Sequence, residues 1–425
     1  MAITINDQPY EWAVRGQKLY IKAISDETGN AGFKYQVSIV IAGIPYTFYL
    51  NPAPGDGLYF DVAPLVEEMR NIESTTYHFA TDALQNDSSY SPVTFELSEW
   101  WLVDGILTLN EGSEEAGTEF VIINGYYQAA DGFKPVPTTG SDGVKFSLTN
   151  NTSNAMTDRK YDTHSWYLAP TWSQGAPTST TRVWIPSFES DYGMLCIPGS
   201  ITYLSNNDIN FMRIAIVDSA GSPTIQTIAI TSSTIKALPV YPANLNDWTG
   251  LTVKPSLFPD WRYYEVEIRL TNSTRSIKYI FYNAYRYGQS DCHNDKIRLG
   301  WVNSRGGWDY FNFTKRSEFT NEIQRKQYRK PLQYDFTTID RGLVQRRNIM
   351  QQVLSVTSDF ITEEEFIYLR SLMASNQVTW LTVREGENIA LPVTIDDTTY
   401  TEKKTRDGKL YNVSFKVRMA NEYWT

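Results

Sequence analysis

Apolar and polar residues alternate over several short stretches of the chain, and that two-residue period predicts strands. Tyr411, Val413, Phe415, Val417 and Met419 interleave with Asn412, Ser414, Lys416 and Arg418, giving a half-buried arm of a hairpin closed by Arg406-Asp407-Gly408-Lys409. Near Trp261, Tyr264, Val266, Ile268 and Leu270 face one way while Glu265, Glu267 and Arg269 face the other, so this strand is expected to have a solvated side. Phe33 to Leu50 is rich in β-branched and aromatic residues and is broken by Ala42-Gly43-Ile44-Pro45, which reads as a hairpin. Arg182 to Pro186, Ser200 to Leu204, Met212 to Val217 and Val378 to Val383 read as further short strands, and another spans about Gln345 to Thr357. A helical period occurs near Leu65, Val66 and Met69, and most clearly after Thr362. There Thr362 with Glu363-Glu364-Glu365 makes a capping box, and Ile361 and Phe366 are placed as a hydrophobic staple. Phe366, Leu369, Leu372 and Met373 then form one stripe, which predicts a helix over 362–375 lying on a sheet.

The fold class these elements predict is mainly β, with several antiparallel β-sandwiches and a single α-helix flanking the C-terminal one. Clusters of polar and Gly residues suggest four segments: an N-terminal β-sandwich over 1–110, a Ser/Thr-rich sandwich or jelly roll over 111–250, a β segment around a Gly-Gly turn over 251–330, and a C-terminal sandwich over 331–425.

With 425 residues the chain is long enough for several unstapled cores, and 41% apolar against 20% charged residues excludes a disordered polymer. Two cysteines cannot build a disulfide framework or a thiolate metal site, so packing must supply the stability. The net charge of −10 opposes a general grip on phosphate backbones, and no sequence-specific nucleic-acid contact is expected. The longest apolar run without a charge, Tyr35 to Leu50, is interrupted and too short for a bilayer, and the first residues lack a signal-peptide core; neither a membrane span nor Sec export is expected.

Charge is nevertheless segregated. Ile72 to Phe133 has no Lys or Arg but carries Glu73, Asp82, Asp87, Glu96, Glu99, Asp104, Glu111, Glu114, Glu115, Glu119 and Asp131. Between Asn312 and Arg347 the sign reverses, with Lys315, Arg316, Arg325, Lys326, Arg329, Lys330, Arg341, Arg346 and Arg347 against Glu318, Glu322, Asp335 and Asp340. These runs read either as solvated faces or as complementary docking patches.

Catalytic signatures are absent. There is no Gly-x-Ser-x-Gly elbow, P-loop, dinucleotide fingerprint or EF-hand loop, and His78, His164 and His293 have no metal-ligand spacing. Asp291-Cys292-His293-Asn294-Asp295 is the densest ligand-like run, but five consecutive loop residues cannot all address one ion. No enzyme activity, cofactor or metal is expected. The 12 Trp, 28 Tyr and 19 Phe leave two further openings beyond core packing. Trp166, Tyr167, Trp172 and Trp184 are candidates for a glycan platform, and Trp301, Trp308 and Tyr310, with Arg346 and Arg347, for a protein interface.

The layout of strand, capped helix and strand in an all-β chain without catalytic motifs resembles virion proteins of tailed bacteriophages, of the tail-tube and distal-tail type. The segment from Leu299-Gly300-Trp301 through Trp308-Asp309-Tyr310-Phe311 is similar to a phrase in phage structural proteins. That resemblance covers the layout of about residues 1–110 and 260–425, and the Ser/Thr-rich middle departs from it. It implies a structural component of the virion, in the tail or baseplate, assembled in the host cytoplasm as a ring or oligomer with its own copies and neighbouring virion proteins. The alternative is an adhesin of the fibre or spike type that binds a host surface glycan through its middle region. A depolymerase, needing paired carboxylates in a cleft, is a distant third.

Overall fold

A computed structural model describes residues 3–9, 12–14, 19–55, 57–68, 78–82, 84–85, 90–123, 136–137, 144–145, 180–197, 209–229, 236–270, 276–284, 296–302, 308–315, 317–331, 334–335, 337–339, 342–361, 363–375, 377–396, 412–420 and 423–424. The fold is mainly β: extended sheets carry the chain, and helices are short.

The predicted hairpin at Phe33 to Leu50 is present as strands Lys34–Ile41 and Ile44–Leu50. Its two-residue turn, Ala42 and Gly43, has φ of 48° and 82°, the left-handed backbone a tight hairpin requires and which glycine adopts freely. Tyr90–Val103 pairs with the other edge of Lys34–Ile41, and Tyr35, Val37, Ile39 and Ile41 point inward beside Val93, Phe95 and Leu97. Ile21, Ala23, Leu58 and Phe60 complete this core from the three-stranded sheet of Thr4–Asp7, Tyr20–Ile24 and Gly57–Asp61. Burying period-two faces against each other is what makes this part of the chain a sandwich.

A central five-stranded sheet runs in the order Thr180–Ser187, Ser276–Asn283, Tyr263–Leu270, Ile209–Val217, Pro223–Ala229. The first two of these strands are parallel to each other, the rest antiparallel. Tyr264 and Val266 are buried as expected, but so is Glu267 on the supposedly solvated side, where Arg213 meets its carboxylate at 3.2 Å. Alternation records which residues share a face. It cannot say what lies over that face.

The C-terminal sheet is ordered Trp308–Phe313, Ile297–Val302, Val378–Arg384, Glu387–Ile395, Ser414–Met419, Leu343–Thr357, Glu318–Arg329, with Tyr423–Trp424 also paired to Leu343–Thr357. Phe313 near one end of this order meets Phe415 edge-on at 5.3 Å, so the sheet curls round a core. Helix Glu363–Ala374 covers that core with Phe366, Leu369 and Leu372, packed among Leu299, Trp301 and Val417. Ile361 is in the same cluster as Phe366, as a staple requires, while Thr362 lies outside the described residues.

The boundaries expected at 110, 250 and 330 are not where the sheets divide. Glu115–Ala116 and Phe120–Ile123 still pair with Tyr90–Val103. The central sheet joins strands on both sides of 250, and the C-terminal sheet joins strands on both sides of 330. Leu84–Gln85, from the first segment, pairs with Lys236–Leu238 of the second. Polar, Gly-containing clusters mark turns between paired strands as readily as linkers between domains, so they mislead as boundary signals.

Because Phe366 is 5% exposed within a continuous cluster, Phe366→Ala should cost roughly 3 to 5 kcal/mol through lost burial and a residual cavity. A chemical denaturation curve showing no loss of stability would mean that the helix does not cover this core.

Candidate assembly surface and the buried junction behind it

Two features stand out from the sheets: a buried polar junction, and an arm that leaves the C-terminal sheet.

The junction is built round Asp191, which has no solvent exposure. A tight turn presents it, since Phe188 N–H donates to Asp191 Oδ2 at 2.9 Å and Asp191 N–H donates to the Phe188 carbonyl. Strand Ile297–Val302 and its lead-in supply the cations: Lys296 bonds Asp191 Oδ1, and Arg298 Nη1 stands 3.2 Å from Oδ2. Asn312 Nδ2 donates to the same oxygen at 2.7 Å. Arg298 also donates to the Tyr192 carbonyl and to Asn312, and its guanidinium lies against the rings of Tyr241 and Tyr310 at 4.8 and 5.0 Å.

Beside this ion cluster, His78 Nδ1 is 2.9 Å from the Tyr310 hydroxyl, which also accepts from Met194 N–H. Asn244 closes the arrangement, accepting from Gly193 N–H and donating to the carbonyls of His78 and Ala80. A Cβ on Gly193 would come within 2.8 Å of the Tyr241 ring and 3.0 Å of the Tyr310 ring, and one on Gly300 within 2.9 Å of the Tyr310 ring. The two glycines are therefore the walls of the Tyr310 slot.

Burial sets the electrostatics. It pushes the Asp191 carboxyl up, but the Arg298 and Lys296 cations and the hydrogen bonds from Lys296 and Phe188 hold it below the ordinary carboxylate value. Burial, aided by the Arg298 charge, lowers His78 to about 3, so the imidazole beside Tyr310 is neutral. Tyr241 and Tyr279 are pushed above the ordinary phenol value by burial. These groups are committed to one another across segments distant in sequence.

That geometry corrects one expectation. Trp301, Trp308 and Tyr310 are 0%, 1% and 4% exposed, so they are interior packing and not contact residues for a neighbour. Trp301 Nε1 donates to Ser371 Oγ at 2.8 Å under the helix, and Trp308 meets the His78 ring edge-on at 4.5 Å. Within that phrase Gly300 leaves room for the Tyr310 ring. Asp191, Asn244 and His78 carry no local signal of this role, because their partners come from segments tens to hundreds of residues away.

Arg346 and Arg347 fall on the second feature. Strand Glu318–Arg329 is exposed at every one of its 12 positions, and its partner Leu343–Thr357 goes from exposed or half-buried at Leu343 to buried at Val353, Leu354 and Val356. Beyond the root, where Ser414–Met419 and Tyr423–Trp424 also pair with Leu343–Thr357, the two strands form a ribbon with no third strand among the described residues. Lys330 N–H donates to the Gly342 carbonyl at the far end. Between Lys326 and Gln327 the register shifts, so Arg346 is the extra residue of a β-bulge; it is exposed, and Arg347 is half-buried. Arg418 fastens the root, holding Asp396 with two hydrogen bonds, Glu322 at 3.0 Å and Gln351 at 2.6 Å. Phe319 packs on Trp380 with ring centres 5.7 Å apart.

The arm carries exposed apolar side chains, with Ile323, Tyr328 and Leu343 along it and Tyr334 and Ile339 at its tip. Exposed Arg325, Lys326, Arg329, Lys330 and Arg346 make it basic. Of the acidic run, Glu96, Asp104, Glu111, Glu114 and Glu115 are exposed, but Glu99 is buried and accepts from Asn110. Next to Asp104, the hairpin turn exposes Leu102, Val103 and Ile106.

Of the glycan-platform candidates, Trp166, Tyr167 and Trp172 lie outside the described residues, as does Asp291 to Asp295, and Trp184 occupies strand Thr180–Ser187 opposite Ile280. Among the described residues, no group of three or more His, Cys, Asp or Glu is placed to hold a metal ion, and no helix is long and apolar enough to cross a membrane.

His78 makes the junction sensitive to acid. Its folded value of about 3 lies below the ordinary 6.5, so between these values the unfolded chain binds a proton that the native chain refuses. The stability is complete above 6.5 and falls as the pH drops toward 3, by roughly 1.4 kcal/mol per pH unit from this group. Denaturant titrations at pH 6.5 and 4.5 should show His78→Gln with a pH slope shallower by about one proton. An unchanged slope would mean that His78 is not held neutral.

No protein-family model matches the chain, and no curated protein matches it.

Proposed function

We propose that this chain is a structural component of a bacteriophage virion, in the tail or baseplate, and that it assembles into a ring or oligomer through its arm. The observation that supports this reading most is the ribbon of Glu318–Arg329 and Leu343–Arg347, which has little to bury within its own chain. A two-stranded ribbon is marginal in water on its own, and an open strand edge is an aggregation hazard unless something covers it. Its basic charge and apolar tip complement a surface that is acidic and apolar, and the turn around Asp104, with Leu102, Val103 and Ile106, has that character. Exposed ion pairs contribute only about 0 to 1 kcal/mol each, so charge would set register while buried edge and apolar contacts supply affinity. No catalytic step, cofactor or metal is assigned in this reading.

Two measurements test it. Light scattering of the purified protein at low ionic strength should give a mass of two or more copies; Arg346→Glu with Arg325→Glu should lower that mass while leaving the melting temperature nearly unchanged, and a strict monomer in both proteins would overturn assembly through the arm. Antibodies against the chain should label one region of the tail or baseplate in electron micrographs of phage particles that encode it, and unlabelled particles that also lack the protein by mass spectrometry would remove it from the virion.

A further inference from the structure

The free edge of Glu318–Arg329 is patterned for one occupant. Among the described residues this strand pairs only with Leu343–Thr357, leaving its other edge open. Along the strand the charge reverses: Glu318 and Glu322 occupy the half near the root, Arg325, Lys326 and Arg329 the outer half, with Lys330 next. The shift in register with Leu343–Thr357 is taken up at Arg346 on the other strand, so the outer strand keeps unbroken alternation.

We infer that the outer strand pairs antiparallel with the same strand of a second copy of this chain, about a two-fold axis at Gln324. This rests on the oligomer reading above and names its partner.

Two like edges can meet antiparallel only through a two-fold axis perpendicular to the sheet, which keeps each face on its own side. Every residue then opposes one of the same parity. With the axis at Gln324, Glu322 opposes Lys326 and Glu318 opposes Lys330, each pair occurring twice by symmetry, and no like charges face one another. Phe319 and Ile323 oppose Arg329 and Arg325, whose alkyl stems can lie over them. Neighbouring registers lose this match. An axis at Ile323 leaves no ion pair directly opposed, one at Arg325 sets Arg325 against itself, and one at Glu322 sets Glu322 against itself.

The shape agrees. Each arm is roughly 40 Å long at ~3.3 Å per residue, so antiparallel pairing puts the two bodies at opposite ends and the tip of each arm at the root of the other. Tyr334 and Ile339, 105% and 88% exposed, thereby reach the end where Phe360 is exposed beside the Lys315–Asp359 ion pair. The contact adds main-chain hydrogen bonds along an edge that pairs with no other strand among the described residues, and it closes after two copies, which removes the open edge.

Cysteine cross-linking reads the register directly. With Cys196 and Cys292 replaced by Ser, Gln324→Cys brings two like positions face to face, within the span a disulfide bridges, so mild oxidation should give a covalent dimer. Ile323→Cys, one residue along and on the opposite face, should stay monomeric on non-reducing gels. As a second measurement, Lys330→Glu should weaken dimerisation at low salt, and adding Glu318→Lys should restore it; Glu322 is left in place because it also holds Arg418. Equal cross-linking at both positions, no cross-linking in a protein that is an oligomer by mass, or failure of the charge swap to restore dimerisation would overturn this pairing while leaving assembly through another surface intact. A monomer by mass under all conditions would overturn both.

Discussion

A carboxylate with no access to water, Asp191, is the point on which the arrangement of sheets depends. Removing a charge from solvent costs several kcal/mol, and that cost is offset only when partners arrive with the right geometry. Here they are Lys296, Arg298, Asn312 and the Phe188 amide, drawn from either side of the Trp308–Phe313 and Ile297–Val302 pair and from the turn before Leu195. Once Arg298 is fixed, its guanidinium fixes the rings of Tyr241 and Tyr310 against it, and the slot for Tyr310 in turn requires glycine at 193 and 300. His78 and Asn244 bring a segment of the first hundred residues to the same place. Such a cluster is poor at adding net stability but demanding in geometry, so it selects one mutual placement of these strands.

The C-terminal sheet held in this way carries an arm with the opposite character. At the root, Phe319 on Trp380 and the Arg418 clamp on Asp396, Glu322 and Gln351 tie it down, and the bidentate bonds from Arg418 hold the Asp396 carboxyl below its ordinary value. Farther out, no side chain of Glu318–Arg329 is buried. Rigid interior and exposed ribbon thus divide the labour between them: the junction sets where the arm begins, and the arm's own edge, charge reversal and apolar tip define what it can meet.

Physical chemistry along the chain was enough to establish the mainly β class, the hairpin at Ala42-Gly43, the helix before Ala374 and the inward faces of Lys34–Ile41 and Ser414–Met419. Each depends on near neighbours in sequence: a turn residue's φ, a cap, a two- or 3.6-residue period. Chain-distant facts were not legible. Trp301, Trp308 and Tyr310 look alike as exposed anchors or as core, and the helix over Trp301, the His78 ring against Trp308 and the glycine-walled slot round Tyr310 make them core. Glu267, on the face the alternation makes polar, is buried and paired with Arg213 on the adjacent strand. Asp191 is one acidic residue in a Glu-Ser-Asp run until Lys296 and Arg298 come beside it. Conversely, Glu318–Arg329 shows no buried face in its sequence because it has none, and that it is a strand at all was decided by Leu343–Thr357 folding back along it. Local propensity and periodicity are encoded within a few residues, whereas burial and charge pairing belong to whichever distant segment the fold delivers.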